Sequence, residues 1–286
     1  MKRQLHLLLI DPQNDFCDLP PAYLPRDPLT GLSCAPALPV PGAHADMQRV
    51  AKLIDAAGAG LSAISITLDS HHQRDIAHPG FWIAGTGEAV APFTVISAEA
   101  VRAGRYLPRD PAALVRTLAY LDALETAQRY QLMVWPVHCE IGSWGHNVHA
   151  DVRAAYNGWE LSCGSVNKVV KGTNPWTEHY SAIQAEVPDP DDEATQLNAG
   201  LLALLRQSDR VYIAGEAGSH CVKATTEHIA AQLGGDLSKL VLLTDCISAV
   251  AGFEAQYAEF VQSMRALGVQ TASAAQALEE IAANRG

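Results

Sequence analysis

Short apolar runs alternate along the chain with longer stretches whose apolar residues recur at helical spacing. Near-continuous apolar runs suit strands that are buried on both faces of a parallel sheet. We therefore predict strands at residues 5–10, 63–67, 132–135, 166–170, 211–214 and 240–243. Strands that alternate with helices predict an α/β fold, a three-layer αβα sandwich around a central, mostly parallel sheet.

Three helices stand out between these runs. Met47, Val50 and Ile54 share one helical face. A second helix is predicted behind an N-cap at Asp110, with Pro111 in its first turn and residues 114, 118 and 121 facing inward. A third spans residues 253–267. We predict one domain over residues 1–286, with an ordered insertion at about 84–131 and surface loops at 19–41 and 187–193.

Composition narrows the classes of partner. The 286 residues are 48% hydrophobic and 18% charged, which is typical of a folded protein, and the net charge of -11 argues against a nucleic-acid partner. The first apolar run is too short for a signal peptide or a membrane span. Six scattered cysteines without a CxxC pair indicate free thiols. We expect a cytoplasmic protein with no membrane association.

Polar residues directly after the predicted strands are the first candidates for chemistry, because ligands bind at the carboxyl ends of parallel strands. The first strand is followed by DPQNDF, which lacks the glycines of a dinucleotide site. The candidates at these strand ends are Asp11, Asp69, His71, His138, Lys171 and residues 215–221.

Cys221 follows a predicted strand and opens a predicted helix, where the helix dipole and free N–H groups favour a thiolate and an oxyanion. The alternative is a small buried hydrophobic residue. Asp11 is either a turn residue or a proton acceptor, and Lys171 must reach an opposite charge or a ligand. The three residues fit one mechanism, in which Asp11 takes the thiol proton and Lys171 favours the thiolate.

A second cluster consists of Asp69, His71, His78 and His138. An Asp-x-His pair after a strand, with a distant third imidazole, supplies ligands of the kind that suit zinc, iron or manganese. The chain contains eleven histidines, so this pattern alone does not establish a site. We expect the histidines at 146, 149, 179, 220 and 228 to be structural or solvated.

Four strings resemble the nicotinamidase branch of the isochorismatase-like cysteine hydrolases. They are LIDPQNDFC at 9–17, WPVHC at 135–139, KGT at 171–173 with YSA at 180–182, and GEAGSHCVKAT at 215–225. They stand in the order of that family, and each lies at a strand end.

The resemblance implies Cys221 as nucleophile, Asp11 as general acid and base, and Lys171 as the third catalytic residue. It also implies an oxyanion hole from the N–H groups of Ala217 and Cys221, and a cis peptide bond between Glu216 and Ala217. The resemblance also implies a divalent metal ion, which we expect to be zinc, with iron and manganese as alternatives. The implied ligands are Asp69, His71 and His138, and His78 is a better candidate for a fourth ligand than His72.

The resemblance further implies an amidohydrolase that converts nicotinamide to nicotinate and ammonia. Phe16 and Trp135 are candidates to flank the substrate ring, with core packing as the alternative. The chain departs from the family at Glu216, where an apolar residue is usual, and at Gly218, where Thr is frequent. Other interpretations are a related hydrolase of ureido, carbamoyl or other small amides, and a non-catalytic metal-stabilised binding protein. We expect a homo-oligomer.

Overall fold

A computed structural model describes residues 2–284 of the chain. Its centre is a six-stranded sheet in which every pair of neighbouring strands runs parallel. In sheet order the strands are β10 (Gln270–Ala272), β9 (Leu240–Leu243), β8 (Arg210–Gly215), β1 (Leu5–Ile10), β2 (Ala63–Asp69) and β7 (Asn167–Lys171). The predicted α/β fold with a central parallel sheet is confirmed.

Two groups of helices flank the sheet and complete the three layers. One group contains α1 (Ala43–Ala57), α4 (Ala150–Glu160) and α8 (Ala274–Ala283), and the other α5 (Ala199–Gln207), α6 (Cys221–Leu233) and α7 (Glu254–Ala266). The predicted apolar face of α1 is buried in the main core. Among residues 2–284, the structure has no helix with the length and hydrophobicity of a membrane span.

A smaller layer of structure lies between β2 and α4 in the chain. It contains two antiparallel pairs, β3 (Trp82–Ala84) with β5 (Tyr106–Pro108) and β4 (Thr94–Ile96) with β6 (Leu132–Val134), and the helices α2 (Ala98–Arg102) and α3 (Leu114–Ala127). These elements bury a hydrophobic cluster of their own, which includes Trp82, Leu121 and Val134.

This layer overturns one strand assignment. Residues 132–135 were predicted to belong to the central sheet, but β6 pairs only with β4 among the described strands. An apolar run indicates that a strand is buried, but it does not determine which other strand it pairs with. On α3, Leu121 is fully buried, whereas Leu114 and Leu118 are half-buried at the edge of the cluster.

The two edges of the central sheet also differ from the sequence prediction. Residues 166–170 were expected to be buried on both faces, but β7 is an edge strand and Val170 is 52% exposed. The opposite edge strand, β10, was missed because its three residues are polar or small and only partly buried.

The strand register determines which residues meet at the carboxyl edge of the sheet. β1 lies between β2 and β8, with Ile10 opposite Gly215, and β2 pairs with β7, with Asp69 opposite Lys171. The strands β8, β1, β2 and β7 therefore end side by side. Gly215 has φ +119°, and a Cβ there would lie 1.9 Å from the carbonyl oxygen of Ile10.

Gly215→Ala is therefore expected to force β1 and β8 apart. We predict a loss of about 2 kcal/mol or more in the free energy of unfolding, measured by urea denaturation. Gly268→Ala is the matched control, because Gly268 has φ +100° with nothing within 4 Å of its ideal Cβ. Equal losses in the two variants would contradict the close approach of the strands.

Candidate active site

A buried cluster of charge lies at the carboxyl edge of the sheet. Lys171 ends β7, and its Nζ lies 2.9 Å from Asp11 Oδ2 and 2.9 Å from Asp69 Oδ1. The same ammonium donates to the carbonyl oxygen of His179 at 3.0 Å and lies 3.7 Å from Cys221 Sγ. The structure thus brings the three predicted catalytic residues together, with the ammonium of Lys171 next to both Asp11 and Cys221.

Burial and charge set the protonation of this cluster. Burial raises the pKa of the Cys221 thiol well above its usual value; Lys171 acts in the opposite direction, and the Asp11 carboxylate adds to the rise. These shifts favour the neutral thiol over the thiolate that we expected at the helix N-terminus. Burial opposes the charge on Lys171, but Asp11 and Asp69 hold the pKa of its ammonium well above the usual value. Burial also raises the pKa of Asp11, although Lys171 opposes the shift.

Asp11 is fixed in place by its neighbour on β2. Thr67 Oγ1 accepts a hydrogen bond from the Asp11 N–H at 3.0 Å and donates one to Asp11 Oδ1 at 2.5 Å. Asp11 has φ +44°, a left-handed conformation that is uncommon outside glycine and that clusters at functional sites. These contacts leave Asp11 Oδ2 for Lys171.

Gln13 is a supporting residue that the sequence analysis did not single out. Its side-chain amide donates to the Asp69 carbonyl oxygen at 2.8 Å and accepts from the Asp69 N–H at 2.7 Å. This two-point clamp fixes the end of β2. Although burial opposes ionisation, His71 and Lys171 hold the pKa of Asp69 well below its usual range.

The loop between β8 and α6 presents two backbone donors beside the thiol. Cys221 is the first residue of α6, and the Glu216–Ala217 peptide bond is cis, as the resemblance implied. Within residues 2–284, the N–H groups of Ala217 and Cys221 have no hydrogen-bond acceptor, whereas those of Glu216 and Gly218 donate to Ile10 O and Ser248 O. The two N–H groups therefore remain available to an acceptor atom of a bound ligand.

The loop's two departures from the family pattern have different surroundings. An ideal Cβ at Gly218 would lie 2.6 Å from Tyr257 Cδ2 and 2.8 Å from Ile247 Cγ2, so a larger residue there requires Tyr257 to move. The Glu216 side chain is fully buried, and its Oε2 accepts a hydrogen bond from the Ser248 N–H at 3.2 Å.

The imidazole cluster lies next to these residues. Asp69 Oδ2 is 3.0 Å from His71 Nε2 and 3.3 Å from His138 Nε2. Donor atoms of His71, His78 and His138 lie within 4.8 Å of one another, and all three side chains are buried. His72, the poorer candidate, is exposed.

His138 reaches this cluster by a route that we did not foresee. We expected it to follow a strand close to β2 in the central sheet, but β6 lies outside that sheet. The His71 N–H instead donates to the Cys139 carbonyl oxygen at 3.0 Å, and Asp15 Oδ2 accepts from the Cys139 N–H at 2.7 Å. A backbone bridge between two loops therefore replaces the predicted strand pairing.

The donor set fits a divalent metal ion. One carboxylate and three imidazoles are the ligand types of zinc and similar metals. Asp75 Oδ2 lies 3.0 Å from His71 Nδ1, so a carboxylate orients the ring whose other nitrogen faces the cluster. Burial, with the charges of His138 and His71 next, lowers the pKa of His78 to about 3 and leaves its imidazole neutral. Neutral imidazole is the form that binds metals.

A small pocket joins the metal-ligand cluster to the thiol. Its wall includes Asp69, His138, Ala217 and Cys221. Phe16 and Trp135, the candidates to flank a substrate ring, both line this pocket. The ring centroids of Phe16 and His138 are 5.4 Å apart, and Trp135 is buried. Trp135 Nε1 donates to Tyr180 Oη at 3.0 Å.

Sequence reasoning gave no role to five further residues of this wall, which are Leu38, Glu178, Tyr180, His220 and Val250. We expected His220 to be structural or solvated, but its ring packs 5.0 Å from that of Trp135 and faces the pocket. Its position directly before Cys221 was the available signal. Burial raises the pKa of Glu178 to about 7, and its Oε2 has no hydrogen-bond partner among the described residues.

The region predicted as an insertion contacts the pocket wall. Phe93 packs edge-on against Trp135, with ring centroids 5.9 Å apart, and Tyr130 lies 4.8 Å from Tyr180. Aromatic side chains of this region therefore pack against residues of the pocket wall. Its assignment as an insertion into a single domain stays a prediction.

Comparison with solved structures decides the fold. The chain superposes on the yeast nicotinamidase bound to the inhibitor nicotinaldehyde with a TM-score of 0.62, at 21% identity over 94% of this chain and 100% of that chain. For the nicotinamidase and pyrazinamidase of Acinetobacter baumanii, the TM-score is 0.61 at 19% identity, over 96% of this chain and 98% of that chain. The chain has the isochorismatase-like hydrolase fold.

The fold extends to more distant structures. The pyrazinamidase of Pyrococcus horikoshii in complex with zinc matches with a TM-score of 0.51 and 19% identity, over 94% of this chain and 99% of that chain. No protein-family model and no curated protein matches the chain. At such identities the similarity establishes the isochorismatase-like fold and leaves the reaction to be argued from the site.

Removal of the buried cation tests the electrostatics of the site. Lys171→Met should raise the pKa of the Cys221 thiol further, because the positive charge that opposes the rise is lost. The measurement is the rate of iodoacetamide labelling of Cys221 against pH, read by peptide mass spectrometry. Lys168→Met, on the exposed face of β7, is the matched control. An unchanged pH profile in a folded Lys171→Met variant would exclude this contact.

Metal content tests the imidazole cluster. His138→Ala should lower the metal bound to the purified protein by at least half, measured by plasma mass spectrometry, because it removes one of the converging donors. His72→Ala is the control, since His72 is the exposed neighbour of His71 and should retain the wild-type content. A fully metallated His138→Ala variant would show that the histidines only pack together.

Proposed function

We propose that the chain is a metal-containing cysteine amidohydrolase that converts nicotinamide and water to nicotinate and ammonia. One observation carries the proposal. Cys221 and Ala217, which carry the thiol and two free N–H groups, line a single small pocket, and Lys171, paired with Asp11, lies 3.7 Å from the thiol. A nucleophile, a base and an oxyanion hole are the parts that acyl transfer requires.

Acylation begins from the neutral thiol. Asp11 accepts the thiol proton as Cys221 Sγ attacks the amide carbon, and Lys171 stabilises the negative charge that is then shared by the two groups. The tetrahedral oxygen accepts hydrogen bonds from the N–H groups of Ala217 and Cys221. Ammonia leaves with the proton from Asp11, and a thioester to Cys221 remains.

Hydrolysis of the thioester uses the same groups in reverse roles. Asp11 takes a proton from water, the resulting hydroxide attacks the thioester carbon, and the same two N–H groups hold the second oxyanion. Collapse of this intermediate releases nicotinate and restores the thiol as the proton returns to Cys221. Burial raises the pKa of Asp11, which makes its carboxylate a stronger proton acceptor, and Lys171 opposes this shift.

The pocket wall favours a small, flat and mostly apolar substrate. Phe16 and Trp135 supply aromatic faces, and Leu38 and Val250 complete the apolar lining. We propose that Asp69, His71 and His138, with His78 as a further ligand, hold a zinc ion, which when bound orients the ring nitrogen of the substrate. The zinc in the solved Pyrococcus pyrazinamidase supports this choice of metal.

The names of the structural neighbours support the substrate class. The yeast enzyme is a nicotinamidase, and the Acinetobacter enzyme is a nicotinamidase and pyrazinamidase. A cytoplasmic location, supported by six free cysteines, and assembly into a homo-oligomer are also part of the proposal.

Ammonia release over a substrate panel tests the proposal. We expect turnover of nicotinamide and pyrazinamide and at least a hundredfold lower kcat/KM for ureido acids and aliphatic amides, which cannot fill the aromatic pocket.

Asp11→Asn should lower kcat by at least a hundredfold, because the base is lost while the shape of the side chain is kept. Cys221→Ala should abolish turnover, because the nucleophile is lost. Cys246→Ala is its control and should retain activity, since Cys246 is buried outside the pocket. Preference for a ureido acid would replace the proposed substrate.

A further inference from the structure

A second pair of buried carboxyl groups lies behind the oxyanion loop. Glu216, in the loop, is fully buried, and Asp46, on α1, is 4% exposed. Ser248 bridges the two, because its N–H donates to Glu216 Oε2 at 3.2 Å and its hydroxyl donates to Asp46 Oδ2 at 2.6 Å. Neither carboxyl group lines the pocket that holds Cys221.

Hydrogen bonding between the two groups requires a proton. Ser248 holds the carboxyl groups of Glu216 and Asp46 next to each other, and a side-chain hydrogen bond between them contributes to the pKa of each. Two carboxylates only accept hydrogen bonds, so such a contact needs one protonated partner. Glu216 Oε1 is buried and receives no hydrogen bond from the described residues, as a hydroxyl oxygen does not need to.

The charges around the pair favour one proton on Glu216. Arg49 Nη1 donates to Asp46 Oδ1 at 2.8 Å, and its side chain is 45% exposed, so the cation stabilises Asp46 from the outer side. Burial raises the pKa of Glu216 well above its usual value, and the Asp46 charge adds to the rise. Burial raises the pKa of Asp46 too, but hydrogen bonds from Ser248 and Glu216 oppose that shift.

Other titratable or charged groups face this pair from the surrounding segments. They are Cys17, Asp18, Asp245, Cys246 and Tyr257. None of these groups is a cation, so Arg49 would be the nearest positive charge to balance two ionised carboxylates.

We propose that Glu216 is a positioning residue, whose protonated carboxyl group donates to Asp46 and so holds the Ala217 N–H towards the substrate of Cys221. This inference rests on the proposed amidohydrolase function. The backbone supplies the connection: Glu216 N–H donates to Ile10 O at 2.8 Å, and Gly218 N–H donates to Ser248 O at 2.7 Å. The residue that bridges the carboxyl pair is thereby also bound to the backbone of the oxyanion loop.

A role in positioning predicts a particular split of the kinetic constants. Glu216→Ala should lower kcat at least tenfold and change KM less than threefold, because the oxyanion forms after binding and the ring pocket is built by other residues. Glu216→Gln should restore kcat to within threefold of wild type, since the amide still donates to Asp46. Alkylation of Cys221 by iodoacetamide forms no oxyanion, so its rate should stay within twofold of wild type in both variants.

Stability is controlled separately. Met47→Ala removes a fully buried side chain next to Asp46 on α1 and should lower Tm while leaving kcat unchanged. A Gln variant as slow as the Ala variant would overturn the proposal, as would a parallel loss of kcat and alkylation rate. A Met47→Ala variant that loses kcat to the same extent would also overturn it, because general destabilisation would then explain the effect.

The shared proton can be measured without turnover. The infrared difference spectrum of wild type minus Glu216→Gln at pH 7 should contain the carbonyl stretch of a protonated carboxylic acid. A difference band of an ionised carboxylate instead would overturn the proposal. If wild type hydrolyses no amide, the proposed function and the kinetic part of this inference both fail, but the infrared band still decides whether Glu216 carries the proton.

Discussion

The site depends on one buried ammonium that two carboxylates share. Lys171 lies 2.9 Å from an oxygen of Asp11 and 2.9 Å from an oxygen of Asp69, with little exposure to solvent. Loss of one partner from a buried ion pair typically costs about 3–5 kcal/mol, because the remaining charge is uncompensated. The ammonium therefore joins Asp11, for which we propose a role in proton transfer, to Asp69, for which we propose a role in metal binding.

The topology explains why these charges meet. Parallel strands end at the same edge of a sheet, and β1, β2 and β7 are consecutive in the sheet although they lie far apart in the chain. That convergence was predictable from the apolar runs and the polar residues that follow them. The strand order was not, because β7 contains an exposed valine and β6 contains a buried apolar run that belongs to another sheet.

The supporting interactions were the part that the sequence did not reveal. Gln13 holds the backbone of Asp69 by two hydrogen bonds, but in the sequence it is only one of several polar residues in a predicted turn. His220 and Glu178 contribute to the pocket through loops whose paths depend on tertiary contacts. The position of His138 depends on a bridge between two loops, and no periodicity in the sequence encodes such a bridge. Asp11, Asp69 and Lys171 could be found from the sequence because they end a strand or directly follow one.

Capture of a covalent intermediate tests the central claim most directly. Rapid acid quenching of the enzyme during turnover of nicotinamide, followed by peptide mass spectrometry, should reveal a nicotinoyl group on the peptide that contains Cys221. The Cys246→Ala variant should show the same adduct, since Cys246 lies outside the pocket. Steady production of nicotinate with Cys221 unmodified at every quench time, or with the acyl group on another residue, would contradict a mechanism in which this thiol is the nucleophile.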